Sequence, residues 1–270
     1  MTTFQVIILA IVRAVTEILP VSPEIHMQLF TKALGWEITD TTVLEAIRWG
    51  VFSSLFLYFR HDWSSIISSL IQVILFRKKP MTFDERFPFF LIFVIAPYLL
   101  VKKFIGSNLD AIIDFRWTVT IASLLASVVL IRAQQSNRRL KSLFIWNWLD
   151  SLGMGIVHLL QYIPGVGHLV PFLGYSAWKH YHWDAVIKYS LLCMTPFTLM
   201  AALEPATLAA GATASEWSSM NVLIAGALST VSAYFAISGL NSTIEGRRIG
   251  AYGWYRLVMT LMVAGLSIWL

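Results

Sequence analysis

Two proline-interrupted stretches within otherwise apolar sequence most constrain how this chain folds. They are residues 13–26 (RAVTEILPVSPEIH) and residues 161–168 (QYIPGVGH). In hydrocarbon a charged side chain costs at least about 2.5 kcal/mol, and an unpaired backbone group costs several more. Broken polar segments are therefore tolerated only where protein or trapped water shields them. The two stretches together predict a shared site inside the fold.

Composition places the chain in a membrane. Hydrophobic residues make up 57% of the sequence and charged residues only 13%, against about 25% charged residues in an ordinary soluble chain. A helix needs about 20 apolar residues to cross the bilayer, so we predict an all-α, polytopic helical membrane protein with about six to eight crossings. The candidate segments are Phe4–Pro20, Val43–Phe59, Phe87–Val101, Trp117–Ile131, Leu143–Ile163, Ala185–Leu203, Val222–Leu240 and Ala251–Leu270. Ser64–Phe76 and Val170–Trp178 are too short to cross and are predicted to be half-length or re-entrant pieces.

The formal charge of +5 does not indicate nucleic-acid binding, because the basic residues lie in short loops rather than along one face. These residues are Arg77, Lys78, Lys79, Arg86, Arg132, Arg138, Arg139, Lys141, Arg247 and Arg248. Since cytoplasmic loops carry an excess of Lys and Arg, we predict that these loops are cytoplasmic. The lone Cys193 cannot form an internal disulfide, and no Cys/His pattern indicates zinc.

The two halves of the chain echo one another. In each half an apolar segment leads into a proline, then small residues, then a histidine, which is His26 in the first half and His168 in the second. Inverted-repeat membrane proteins place two discontinuous helices in this way, with the broken ends meeting near the bilayer midplane. We therefore predict one integral membrane domain over residues 1–270. Its two Pro-broken re-entrant hairpins would form a pseudo-symmetric bundle, with half-repeats at about 1–131 and 143–270.

Polar side chains near the breaks are suited to binding an anion. Arg13 and Glu17 are four residues apart, so a helix places them on one face, where carboxylate and guanidinium favour each other's charged forms. We expect the helix to break after Pro20, which frees backbone N–H groups near Ser22, and such donors favour phosphate. His168 offers a second imidazole from the other half.

Further polar groups lie within the apolar segments. Arg48 adds a buried cation, and one helical face carries the polar stripe Asn147, Asp150, His158 and Gln161. Simpler interpretations stay open. The pair Arg13 and Glu17 could serve only to let the first helix insert into the membrane, and the polar stripe could serve only to hold helices together. Tyr255 and Arg256 are interpreted as snorkelling.

With their neighbours included, the two stretches resemble a known family. Residues 16–22 (TEILPVS) followed by His26 are similar to the TEFLPVSSxGH segment of the undecaprenyl-pyrophosphate phosphatases (BacA/UppP). Residues 163–165 (IPG) stand where that family has IPGxSRSGAT. Residues 47–50 (IRWG), 59–60 (FR), 189–196 (YSLLCMTP) and 255–256 (YR) also resemble family segments in order and spacing.

This resemblance implies a helical membrane fold with two re-entrant hairpins and a polyprenyl pyrophosphate substrate. Family members hydrolyse that lipid to the monophosphate carrier used in cell-wall synthesis, which implies the bacterial cytoplasmic membrane as the location. Carried over by position, Glu17, Ser22 and His26 are the expected catalytic residues. The expected partners are a polyprenyl phosphate or pyrophosphate lipid and the membrane, with no nucleic acid.

The chain departs from the family pattern in the phosphate clamp. Arg13 replaces an acid or glutamine, Pro23 replaces a serine, and residues 167–169 (GHL) replace the family's SRS. An imidazole cannot reproduce the fork geometry of a guanidinium. Arg13 and Arg48 nevertheless bring guanidinium groups to the same neighbourhood.

Two hypotheses of different classes follow. In the first, a phosphatase, His26 attacks the phosphate or donates a proton, and Glu17 orients or deprotonates its partner. Its expected substrate-binding residues are Arg13, Arg48, His168, Gly165, Gly167 and Glu24. The second is a catalytically silent relative that binds or translocates a polyprenyl phosphate. A small-molecule transporter is a third interpretation, which rests on the broken segments alone.

The sequence itself establishes no cofactor. The resemblance implies a divalent cation as the candidate, because the family is described as metal-assisted. Glu17 and Glu24 are the pair expected to hold such an ion through water, and no dedicated carboxylate cage is visible in the sequence. The sequence predicts no oligomeric state.

Overall fold

The computed structural model describes residues 1–38, 40–104, 117–135, 141–142, 145–204, 219–245 and 248–269. These residues form helices and no β-sheet strand, which confirms the predicted all-α class. The helices are α1 (Thr3–Ile18), α2 (Pro23–Leu34), α3 (Thr41–Tyr58), α4 (Arg60–Leu75), α5 (Phe83–Phe104), α6 (Thr118–Gln135), α7 (Trp148–His158), α8 (Leu169–Trp178), α9 (Trp183–Leu203), α10 (Met220–Glu245) and α11 (Ile249–Trp269). A 3₁₀ turn, Leu159–Tyr162, follows α7.

Five helices of the described residues are long and apolar enough to cross a membrane. The spans are Phe83–Phe104, Thr118–Gln135, Val186–Leu203, Met220–Thr243 and Ile249–Ser267, and the pair α3 and α4, bent by 73°, is a sixth candidate. Counting the bent pair as one span gives six candidates among the described residues, which agrees with the lower end of the predicted six to eight crossings. Phe4–Pro20 and Leu143–Ile163 were counted as spans, but their regular α-helices end early and have only 16 and 11 residues.

Both short segments that were predicted not to cross belong to short helices. Ser64–Phe76 lies largely within the 16-residue α4, and Val170–Trp178 makes up nearly all of the 10-residue α8. Among the basic loop residues, Arg138, Arg139 and Arg247 lie outside the described part of the chain.

A proline ends α1, and a serine begins α2. Leu19, the residue before Pro20, is extended (φ −74°, ψ 151°), because the proline ring disfavours helical geometry in the residue that precedes it. The helix resumes at Pro23, whose fixed φ suits the first helical position. Ser22 caps α2 by accepting from the backbone N–H of Ile25. The predicted break and its position are confirmed.

The second break is built in the same way. Ile163, before Pro164, is also extended (φ −80°, ψ 111°) and ends the 3₁₀ turn. Gly165 and Gly167 follow with positive φ values of 100° and 78°, a region that residues with a Cβ rarely adopt. The chain turns within this loop and enters α8 at Leu169. Two helix–break–helix hairpins result, as predicted.

Helix packing supports the predicted repeat, which itself stays a prediction. Helix α1 packs on α10, and α7 packs on α5; α2 packs on α11, and α8 packs on α6. In this repeat α1 corresponds to α7, α2 to α8, α3 to α9, α5 to α10 and α6 to α11. Exchanging the corresponding helices turns the α1–α10 contact into the α7–α5 contact, and the α2–α11 contact into the α8–α6 contact. The α3–α9 and α6–α11 contacts map onto themselves under the same exchange. Such an exchange of contacts is expected when the two halves of a chain repeat one arrangement.

The α3–α10 contact depends on a small residue. A Cβ on Gly50 of α3 would lie 2.7 Å from the carbonyl oxygen of Gly226 and would also meet Ser229, both on α10. Because small residues let membrane helices approach closely, Gly50 sets the separation of this helix pair.

We expect Gly50→Leu to destabilise the fold by about 1–3 kcal/mol, since α3 and α10 must move apart to admit the side chain. Gly239→Leu, on the same α10, is the matched control, because a Cβ there meets nothing within 4 Å. Thermal unfolding in detergent compares the two variants. Equal midpoints would contradict the packing described here.

Candidate active site

The two broken hairpins meet through an acid and an imidazole. Oε1 of Glu17, on the last turn of α1, lies 3.2 Å from Nε2 of His168, which directly precedes α8. Both side chains are mostly buried, with 17% and 22% of their surface exposed. At low effective dielectric such a contact is strong, so it ties the first hairpin to the second.

Five of the predicted site residues line one cavity of about 190 Å³. They are Arg13, Glu17, Glu24, Arg48 and His168, and the remaining lining residues are Ile47, Val51, Tyr98, Thr198, Ala201 and Glu204. The lining therefore draws on α1, α2, α3, α5 and α9 as well as on the second loop. The polar stretches predicted to converge do converge.

Two guanidinium groups supply positive charge to this cavity. Arg13 and Arg48 both act electrostatically on the Glu17 carboxylate. Nη1 of Arg48 also donates to the carbonyl oxygens of Ala201 (3.3 Å) and Glu204 (3.2 Å). These carbonyls lie at the C-terminal end of α9, where a cation is favourable. Arg13 and Glu17 share a helix face as predicted, but the direct ion-pair contact of Glu17 is with His168.

Ser22 is buried and its hydroxyl is fully engaged. Its Oγ accepts from the backbone N–H of Ile25 at 3.3 Å and donates to Oε2 of Glu24 at 2.8 Å. The hydroxyl thus positions Glu24 at the first turn of α2, where a carboxylate is favoured.

His26 lies in the same hairpin with hydrogen bonds at both ring nitrogens. Nδ1 donates to the carbonyl oxygen of Ser22 at 2.7 Å, and Nε2 lies 2.8 Å from the hydroxyl of Tyr255. Because a carbonyl only accepts, the neutral ring carries its proton on Nδ1 and its Nε2 accepts from Tyr255. His26 therefore links α2 to α11.

Arg256 was missed as a site residue and its interpretation as a snorkelling side chain is wrong, since only 1% of it is exposed. Nε donates to Oγ of Ser123 at 3.0 Å, and Nη2 donates to the carbonyl oxygen of Gly165. The guanidinium thus holds the second loop against α6 and α11. An arginine within an apolar span was the sequence signal for a buried role.

Glu204 and Tyr98, which also line the cavity, were not predicted. The Glu204 carboxylate forms an ion pair with Lys102 at the end of α5. The ring of Tyr98 stacks on Tyr162 at a centroid distance of 5.2 Å, and the Tyr162 hydroxyl donates to the Tyr98 carbonyl oxygen. These contacts tie α5 and α9 to the second hairpin.

Part of the polar stripe on α7 does join helices, as the simpler interpretation held. Asn147 caps α7 by accepting from two backbone N–H groups. Asp150 accepts from the Tyr181 hydroxyl at 3.0 Å and lies 3.2 Å from Nζ of Lys179. His158, at the other end of α7, is fully buried among aromatic rings.

The cavity residues do not fit a metal ion held by the protein. Among the described residues, no three His, Cys, Asp or Glu side chains converge as a ligand set. Glu17 is engaged by His168 and Glu24 by Ser22, and two arginines share the cavity. The predicted pair Glu17 and Glu24 therefore lacks the oxygen donors that a divalent cation needs.

Comparison with known proteins gives a consistent result over nearly the whole chain. The family model described as "Bacitracin resistance protein BacA" matches residues 6–262. Undecaprenyl-diphosphatase 1 of Pseudoalteromonas translucida is 24% identical over 260 residues, which cover 96% of each chain. The undecaprenyl-diphosphatase of Gemmatimonas aurantiaca is 27% identical over 268 residues, 97% of each chain. That of a Nostoc species is 27% identical over 270 residues, 98% of this chain and 84% of the relative.

We expect Gly165→Ala to lower stability by about 2 kcal/mol or more, because it combines an unfavourable φ with overlap against the α6 backbone. A Cβ on Gly165 would lie 3.0 Å from Cα of Val119 and meet its carbonyl oxygen. Gly35→Ala is the matched control: Gly35 also has positive φ but has open space around it, so its cost is about 1 kcal/mol. Chemical or thermal unfolding measures the loss of stability in each variant. Equal losses would contradict the close approach of Gly165 to α6.

Proposed function

The chain belongs to the bacitracin resistance protein BacA family, and from that premise we propose that it is a membrane phosphatase acting on a polyprenyl pyrophosphate. The product is the lipid monophosphate, the carrier form used in cell-envelope synthesis. The names of its relatives support this proposal. The observation that carries it is the cavity in which Glu17 contacts His168 beside Arg13 and Arg48.

Arg13 and Arg48 bind the pyrophosphate in this proposal. Guanidinium groups donate to phosphate oxygens in fixed, bidentate geometry. In the family pattern the corresponding arginine comes from the second hairpin, where this chain has His168. Arg13 comes from α1 and Arg48 from α3, so the positive charge reaches the same cavity from the first half of the chain.

Glu17 is the proposed general base, with His168 as its partner. The carboxylate takes a proton from a water molecule whose oxygen attacks the terminal phosphorus. The bond from that phosphorus to the bridging oxygen breaks, and the bridging oxygen leaves with the electron pair on the lipid monophosphate. Nε2–H of His168 donates to Oε1 of Glu17 and holds the carboxylate in place. The arginines stabilise the charge that develops on the phosphoryl oxygens.

Ser22 and His26 are proposed to position this machinery. Their engagement supports this role, since Ser22 bonds to Ile25 and Glu24, and His26 bonds to Ser22 and Tyr255. That they are catalytic stays a prediction. A nucleophilic Nε2 on His26 would first have to release the Tyr255 hydroxyl. Gly165 and Gly167 give the second loop the shape that presents His168.

The catalytically silent alternative is not favoured, since the curated relatives named above are diphosphatases over nearly their full length. No observation specifically supports the transporter hypothesis. We propose the bacterial cytoplasmic membrane as the location, consistent with a lipid carrier of the cell envelope and with the basic loops of the chain.

We expect the purified protein in detergent to release phosphate from undecaprenyl pyrophosphate. Glu17→Gln should lower kcat by at least about 100-fold, because it removes the proton acceptor and keeps the shape. Arg13→Gln and Arg48→Gln should raise KM, since each removes a charged contact to the phosphate. Steady-state phosphate release measures all three variants.

Glu37→Gln is the control, because Glu37 is an exposed acid in the loop after α2. It should match the wild-type rate. Absence of phosphate release by wild-type protein, with lipid binding retained, would overturn hydrolysis in favour of the silent relative. A wild-type rate in Glu17→Gln would overturn the assignment of the base.

A further inference from the structure

His158 packs between aromatic rings, in surroundings that suit an apolar side chain. None of its surface is exposed, and its imidazole stacks on Phe172 at 4.2 Å between centroids with planes 4° apart. Phe197 packs against the same ring at 4.1 Å. Among the described residues, neither nitrogen of His158 has a hydrogen-bond partner. Leaving buried polar atoms unpaired lowers stability. A phenylalanine would avoid that loss, so packing alone does not explain a histidine here.

The neighbouring His168 carries a matching unpaired atom. Its Nε2 contacts Glu17, while its Nδ1 is buried without a hydrogen-bond partner in the described part of the chain. The centroids of His158 and His168 are 5.8 Å apart. No hydrogen bond joins the two rings directly, and rings at this separation are close enough for one water molecule to bridge a nitrogen of each.

The contact with Glu17 places a proton on Nε2 of His168, because a carboxylate oxygen only accepts. Glu17 on α1 faces it directly, and Arg13 on α1 and Arg48 on α3 already act on that carboxylate. When the ring is neutral, the proton on Nε2 is its only ring proton. Nδ1 is then an acceptor and needs a donor from the side of His158.

We propose that His158 is a positioning residue that binds one water molecule against Nδ1 of His168. A ring N–H of His158 donates to this water, and the water donates to Nδ1. The arrangement selects the tautomer in which Nε2–H of His168 points at Glu17, so the general base is oriented through two imidazoles. Buried water is expected where several polar atoms converge in a space otherwise closed to solvent. The effect on catalysis rests on the proposed phosphatase function, whereas the hydrogen-bond chain does not.

His158→Phe tests the proposal, because it keeps a flat ring between Phe172 and Phe197 and removes both nitrogens. We expect an unchanged or higher unfolding temperature, a kcat for phosphate release about 10-fold lower and a KM within about twofold of wild type, as for the loss of other orienting partners. His158→Gln, which restores an N–H donor, should recover part of the rate. His61→Phe, at an exposed histidine on α4, is the control and should match wild type.

Nitrogen-15 NMR of labelled histidines provides a readout independent of activity. In wild-type protein His168 should show a protonated Nε2 and an unprotonated Nδ1. In His158→Phe the proportion of the opposite tautomer should rise, a change that a purely packing role would not produce. If His158→Phe does not fold, His158→Gln and the wild-type spectrum decide the question.

Different results would contradict the phosphatase function and the positioning role of His158. Lack of phosphate release by wild-type protein would contradict the phosphatase but leave the tautomer measurement valid. A His158→Phe variant with wild-type kcat and an unaltered His168 spectrum would overturn the positioning role while the phosphatase stands. A wild-type His168 protonated on Nδ1 and unprotonated on Nε2 would also overturn it.

Discussion

The contact between Glu17 and His168 is the interaction on which the site depends. It joins the last turn of α1 to the loop that precedes α8, and both side chains line the cavity. An unpaired carboxylate at this depth would be costly, so either partner alone would be unfavourable. With Arg13 and Arg48 acting on the same carboxylate, the cluster both holds the halves together and offers guanidinium groups to an anion.

The proline breaks make this contact possible. A helix that continued past Leu19 or Ile163 would direct the following residues along its axis, whereas the residue before a proline is pushed into an extended conformation. Each hairpin can then turn back within the membrane. The freed backbone groups are satisfied locally, by the Ser22 cap in the first hairpin and by Arg256 at Gly165 in the second. This meets the requirement that irregular backbone in a membrane be shielded by protein.

Local rules predicted much of this architecture. Short-range sequence predicts the apolar length, the two proline breaks and the shared helix face of Arg13 and Glu17. The structure agrees with these predictions, since its described residues are helical and the two stretches converge. Two of the predicted spans are not among the candidate spans of the described residues, because hydropathy responds to apolar length and not to a break within it. The stretch over Leu143–Ile163 shows this: it is long enough to cross, yet its regular α-helix ends at His158.

The pairing of distant residues could not be predicted in the same way. Arg256 binds Gly165, and Tyr255 binds His26 across more than two hundred residues. Which partner each polar side chain takes depends on how the helices pack, and single-sequence periodicity carries no information on that packing. The hydrogen-bond partners of Ser22 and His26 also depend on this packing. Because those partners occupy both side chains, the proposed base chemistry is assigned to Glu17 and His168.

A double-mutant cycle on Glu17 and His168 tests the central claim most directly. Unfolding free energies in detergent would be measured for wild type, Glu17→Gln, His168→Gln and the double variant. A direct contact between the two hairpins predicts a coupling energy of about 1–3 kcal/mol, since the two side chains share one interaction. Additivity within about 0.5 kcal/mol would show that the side chains do not interact and would contradict this account of the site.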